Sequence, residues 1–226
     1  MGTRAMEVLE RLKSMANPEN VAGMARFGIN TQNTYGISIY VLRDIAREIG
    51  CDPALADELW ESGIHEARIL ASYIADPLQM SEAQIERWVA CFDSWDVCDQ
   101  VCGLFEQTPY AYQKAFEWSD REEEFVKRAA FALMAGLVVH DKKASDERFE
   151  SFLPVIIARS DDNRNYVKKA VNWALRNIGK RSIHLNRLAI DAAHKIQKLD
   201  SKSARWIASD ALRELNSEKV QKRLKK

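Results

Sequence analysis

Four residues in this chain have types and spacings that could do chemistry together: Trp95, Asp99, Arg128 and Trp173. Between Cys91 and Phe105, a helix beginning near Ser94 carries Val97, Val101, Leu104 and Phe105 as an apolar stripe, at i, i+4, i+7 and i+8. Trp95 and Asp99 fall about 160–200° from that stripe and, being four apart, share one face. In a second helix, around 122–139, the stripe is Val126, Ala130, Leu133 and Leu137, and Arg128 lies opposite. In a third, from about 164 to 179, Val167, Val171, Ala174, Leu175 and Ile178 face the core. Trp173 then points the other way, near Lys169, Arg176 and Lys180. Aromatic faces stabilise positive charge by about 0.5–2 kcal/mol each; a carboxylate adds to that, and Arg and Lys grip phosphates. Each residue taken singly has an ordinary reading, as a surface acid, an outward arginine or a tryptophan packed on a neighbouring helix. Together they suit a cationic or electron-poor target carried on a phosphate backbone.

The elements that must position them are helices. Nearly every segment reads as three to five helical turns, broken at Asn17-Pro18, Cys51-Asp52-Pro53, Asp76-Pro77, Thr108-Pro109 and Ser160 to Asn163. Ser119-Asp120 and Ser160-Asp161 supply residue types that cap helix N-termini. No stretch sustains the two-residue alternation of a strand. An internal echo relates "EFVKRAAFAL" at 124–133 to "NYVKKAVNWAL" at 165–175, an offset of 41 residues. The same offset carries Ala170, Val171 and Ala174 onto Ala211, Leu212 and Leu215. A period of that length belongs to two-helix repeats of the HEAT type, which curve into a superhelix with a concave surface. The expectation is an all-α, right-handed superhelical solenoid, with one domain over residues 1–218 and a basic tail over 219–226.

Composition narrows the function classes. With 46% hydrophobic and 29% charged residues and no apolar run of membrane-spanning length, the chain reads as a soluble, cytoplasmic protein. The N-terminus lacks the apolar core of a secretory signal. The formal net charge is zero, yet it is divided. Residues 1–163 hold 16 Lys/Arg against 28 Asp/Glu, whereas residues 164–226 hold 17 against 5. That division suggests an anionic partner on the C-terminal side, while the tail at 219–226 reads equally as a solvated lysine-rich end. Cys98 and Cys102, four apart on one helix without CxxC spacing or a histidine pair, read as small packing residues rather than zinc ligands. His65, His140, His184 and His194 are scattered and read as ordinary helix residues.

In "SWDVCD" at 94–99, "VKRAAF" at 126–131 and "KKAVNWALR" at 168–176, the sequence resembles the AlkD-type family of DNA alkylation repair enzymes, the HEAT-like-repeat glycosylases. The likeness extends to "NPENVAGMARF" at 17–27 and "YGISIYVLRDIA" at 35–46. It implies that Trp95, Asp99 and Trp173 form the catalytic cleft and that Arg128 contacts phosphate; Lys169, Arg176 and Lys180, the basic surround of Trp173, are expected to add to the DNA grip. It further implies excision of N3- and N7-alkylated purines from duplex DNA without flipping the base; a monomer needing no metal or cofactor is the accompanying expectation. Two places depart from the family pattern: Asp93-Ser94 precede a single Trp95, and Ser38-Ile39-Tyr40 follow Gly36-Ile37. A non-catalytic HEAT-like protein that recognises distorted or branched DNA is the alternative from another class. A protein–protein scaffold, with the tryptophans as peptide-docking pockets, is a third.

Overall fold

Proline and short polar side chains set most of the helix starts. In the computed structural model, which describes residues 1–225, Asn17 and Asp52 each accept a backbone N–H three residues on, just ahead of Pro18 and Pro53 at the first helical position. Lys226, the last residue of the expected basic tail, lies outside the described residues. All regular structure among the described residues is helical, as the sequence implies. The chain divides into two compact units, Met1–Pro109 and Tyr110–Lys226.

The first unit holds α1 (Thr3–Ser14), α2 (Pro18–Arg26), α3 (Ile39–Ile49), α4 (Pro53–Glu61), α5 (His65–Ile74), α6 (Glu82–Val89) and α7 (Trp95–Phe105). Helix α5 is its centre, packing on α4, α3 and α7. Eight of its ten residues are buried, including the carboxyl-bearing Glu66. The floor of this unit is an aromatic cluster. The rings of Trp60 and Trp88 stack at 4.2 Å with planes 1° apart, and Phe92 and Phe105 close around them.

The second unit holds α8 (Ala111–Glu117), α9 (Glu124–His140), α10 (Asp146–Glu150), α11 (Leu153–Arg159), α12 (Asn165–Gly179), α13 (Ile183–Gln197), α14 (Lys202–Leu215) and α15 (Glu218–Leu224). Helices α9, α12 and α14 form its spine, with α12 packed between the other two, while α8 lies on α9, α11 on α12 and α13, and α13 on α14. The 41-residue echo is this spine. Val126, Val167 and Ala208 are all buried at equivalent places, as are Ala170 and Ala211 and then Ala174 and Leu215. Polar rungs at a steady offset of 38 join α12 to α14: Lys168 Nζ lies 5.3 Å from the Trp206 ring centroid, Asn172 Nδ2 donates to Asp210 Oδ2 at 2.7 Å, and Arg176 Nη1 donates to Glu214 Oε2 at 2.6 Å.

The expected caps at 119–120 and 160–161 are corrected. Trp118–Asp120 is a single turn of 3-10 helix, and the residues preceding α9 and α12 are Glu123 and Arg164, neither capping through its side chain. Asp120 instead pairs with Arg159, and Ser160 Oγ donates to the Ile157 carbonyl at 2.8 Å. A tertiary ion pair has taken the Asp120 carboxylate, and Ser160 is buried at the C-terminal end of α11.

Candidate functional site

The groundwork of the site is a carboxylate buried beneath a loop. Glu66, in the first turn of α5, is fully buried and accepts backbone N–H groups from Tyr35 (2.9 Å), Gly36 (2.6 Å) and Ile37 (3.2 Å). Those donors fix the strand-like segment before α3. Gly36 sits at φ +78°, and a Cβ there would come within 2.4 Å of the Asn17 carbonyl oxygen, so glycine is required. Asn20 Nδ2 donates to the Gly36 carbonyl and ties α2 to the same segment. Between α2, this segment, α5 and α7 lies a cavity of about 570 Å³.

Trp95 stands in its wall as the first residue of α7, its indole N–H donating to the Phe27 carbonyl at 3.1 Å. The remaining walls are largely apolar, with Met24, Phe27, Ile37 and Ile69 among them. Polar groups gather at one side. His65 Nε2 and Asp96 Oδ2 are 2.9 Å apart, with the two side chains only 4% and 14% exposed. Ser94 Oγ donates to the other carboxylate oxygen at 2.7 Å, and Gln100 Oε1 accepts from Tyr73 Oη at 2.6 Å.

Burial by itself would pull the His65 pKa down, but the hydrogen bond to Asp96 and the charges of Asp96, Glu66 and Asp93 leave it raised. Burial pushes Asp96 up, yet His65, Ser94 and the Val97 N–H hold it below the usual aspartate value. The pair is therefore an imidazolium–carboxylate couple over the span between those two values. Sequence reasoning took His65 for an ordinary helix residue, and the structure corrects this. The pairing spans 31 residues of chain and leaves no local pattern.

Trp95 and Asp99 do share a face of α7 and are both half-buried, but Asp99 does not line the cavity. The other expected site residues belong to the second unit. Trp173 is half-buried, on the side of α12 away from Val167, Ala170, Val171 and Ala174. Arg128 is buried, at 6% exposure, and its Nη1 donates to the Tyr166 carbonyl at 2.7 Å. Helix α12 covers this side of α9, so the residue opposite the apolar stripe is enclosed rather than outward. Lys169 is exposed. Arg176 and Lys180 converge on Glu214, at 2.6 Å and 2.9 Å, and burial's upward push on the Glu214 pKa is outweighed by those cations. Cys98 and Cys102 are buried packing residues, and among the described residues no group of three or more His, Cys, Asp or Glu could hold a metal ion. Among the described residues no helix is long and apolar enough to cross a membrane.

A family model described as DNA alkylation repair enzyme matches residues 8–215. No curated protein matches the chain. One solved structure, described as a new family of proteins related to the HEAT-like repeat DNA glycosylases with affinity for branched DNA structures, aligns over 92% of this chain and 94% of that one, with TM-score 0.77 and 21% identity. That likeness shows a fold of HEAT-like repeats. An engineered protein aligns over 82% of this chain and 92% of its own at TM-score 0.42 and 14% identity. A designed armadillo repeat protein in complex with a Lys-Arg repeat peptide does so over 81% and 88% at TM-score 0.37 and 15% identity.

Proposed function

The chain belongs to the DNA alkylation repair enzyme family, and from that premise we propose that it binds duplex DNA and hydrolyses the N-glycosidic bond of purines alkylated at N3 or N7. The observation that carries this reading is the pair Trp95 and Asp99 on one face of α7, within a chain that matches the family from residue 8 to residue 215. An N3- or N7-alkylpurine already bears a positive charge, so the base departs without a general acid. Bond breaking develops oxocarbenium character on the deoxyribose. The indole face of Trp95 and the carboxylate of Asp99 stabilise that cation more strongly in the transition state than in the ground state. Asp99 also orients the attacking water. Arg128, Lys169, Arg176 and Lys180 are assigned to the DNA backbone, Lys169 being the exposed one among them.

The test is release of 7-methylguanine from methylated duplex by the parent and by Asp99→Asn. A group acting on the transition state should cost about 10²-fold or more in excision when neutralised, with DNA affinity nearly unchanged. Equal rates would remove Asp99 from catalysis. The second reading, a non-catalytic binder of branched or distorted DNA, is favoured by the solved relative described as having affinity for branched DNA. Absence of base release by the parent, together with tight binding to a four-way junction, would select it.

A further inference from the structure

The cavity beside Trp95 has a composition that selects its occupant. Its lining carries two carboxylates, Glu19 and Asp96, and one histidine, but neither lysine nor arginine. Phosphates and other anions are repelled there, whereas a neutral or cationic planar group meets apolar walls, an indole at its side and hydrogen-bonding groups at one end. Pockets of about 300–1,000 Å³ lined in this way suit small organic rings, and 570 Å³ falls within that range.

Gly23 adds an independent observation. It lies inside α2, where glycine costs about 0.5–1 kcal/mol relative to alanine. Its φ is not in the left-handed region, and a Cβ built on it would meet nothing within 4 Å. Neither backbone geometry nor crowding asks for glycine at this position. It lines the cavity, and the missing side chain keeps that space open.

We infer that this cavity receives one unpaired nucleobase of bound DNA, stacked on Trp95 with its polar edge toward His65, Asp96 and Gln100. The inference rests on the reading of the chain as a DNA binder. Asp99, the carboxylate assigned to hydrolysis, does not line the cavity, so the base held there is not the base excised. A bulge, a mismatch or a branch point supplies such a base at little unstacking cost.

Gly23→Leu fills the space from a helical position that leucine favours, so the variant should fold, with a melting temperature at or above the parent's. The full chain and this variant are titrated, at one salt concentration, against a fully paired duplex and the same duplex with one bulged 2-aminopurine. The parent should prefer the bulged duplex by about tenfold, the size of one base stacked on an aromatic face. Gly23→Leu should lose that preference while keeping its affinity for paired duplex. A parent without preference, or a variant that retains it, overturns the inference and leaves DNA binding standing. Failure to bind either duplex would overturn the DNA reading instead, and 2-aminopurine riboside alone then decides. Saturable binding to the parent and none to Gly23→Leu upholds the cavity's assignment, and any other result overturns it.

Discussion

Asp96 and His65 show how much a single buried pair can set. His65 has its pKa raised in the folded chain, so its contribution to stability is complete below the ordinary histidine value of about 6.5 and is lost as pH rises through the higher folded value. Asp96 is lowered, so its contribution is complete above about 3.8 and is lost as pH falls through the lower folded value. Between those two ordinary values the couple is fully formed. Thermal unfolding of the parent should therefore fall to lower temperature as pH rises above about 6.5. His65→Gln, whose amide can still donate to Asp96 but does not titrate, should remove most of that slope. A slope unchanged in His65→Gln would assign the pH dependence to other groups. Lys169 makes the contrasting case, since it is exposed. Lys169→Ala should leave melting unaltered and make the log–log salt dependence of DNA binding shallower by about one. Arg176 and Lys180 are held by Glu214, so their loss should act on the packing of α12 against α14.

At the scale of elements, the segment 35–37 depends on one side chain. Glu66→Ala removes the acceptor of three backbone N–H groups under a fully buried site, and should destabilise the chain by about 2–4 kcal/mol. Denaturant midpoints of the two proteins measure this, and a change under about 0.5 kcal/mol would show that water takes over the donors. The same elements show what a sequence can reveal. The helices of Trp95, Arg128 and Trp173 start and stop within about two residues of their expected bounds, because each has a long apolar stripe and a polar break at its ends. The 41-residue echo correctly marks the spine of the second unit. The expected caps fail at Asp120, whose carboxylate pairs with Arg159 from α11, and at Ser160, which instead ends α11. The enclosure of Arg128 and the His65–Asp96 pair are likewise tertiary facts, set by which helix packs over which. Gly23 left the one local trace of the cavity, a glycine inside a helical pattern.

For the whole molecule, charge is divided along the chain, since 17 of the 33 basic residues follow position 163. Zero net charge thus coexists with a basic C-terminal stretch, and the attraction of that stretch for an anion should fade with added salt. The tryptophans are divided as well. Trp60, Trp88 and Trp95 belong to the first unit, while Trp118, Trp173 and Trp206 belong to the second. The parallel Trp60–Trp88 sandwich, 1% and 0% exposed, is a rigid pair of chromophores in close contact. Such a pair should give the first unit its own near-ultraviolet circular dichroism, an optical signature that disappears when side-chain packing melts even if helices persist. Trp206, 41% exposed, should answer instead to aqueous quenchers. Light alone can therefore report on the two halves of this protein separately, with no label attached.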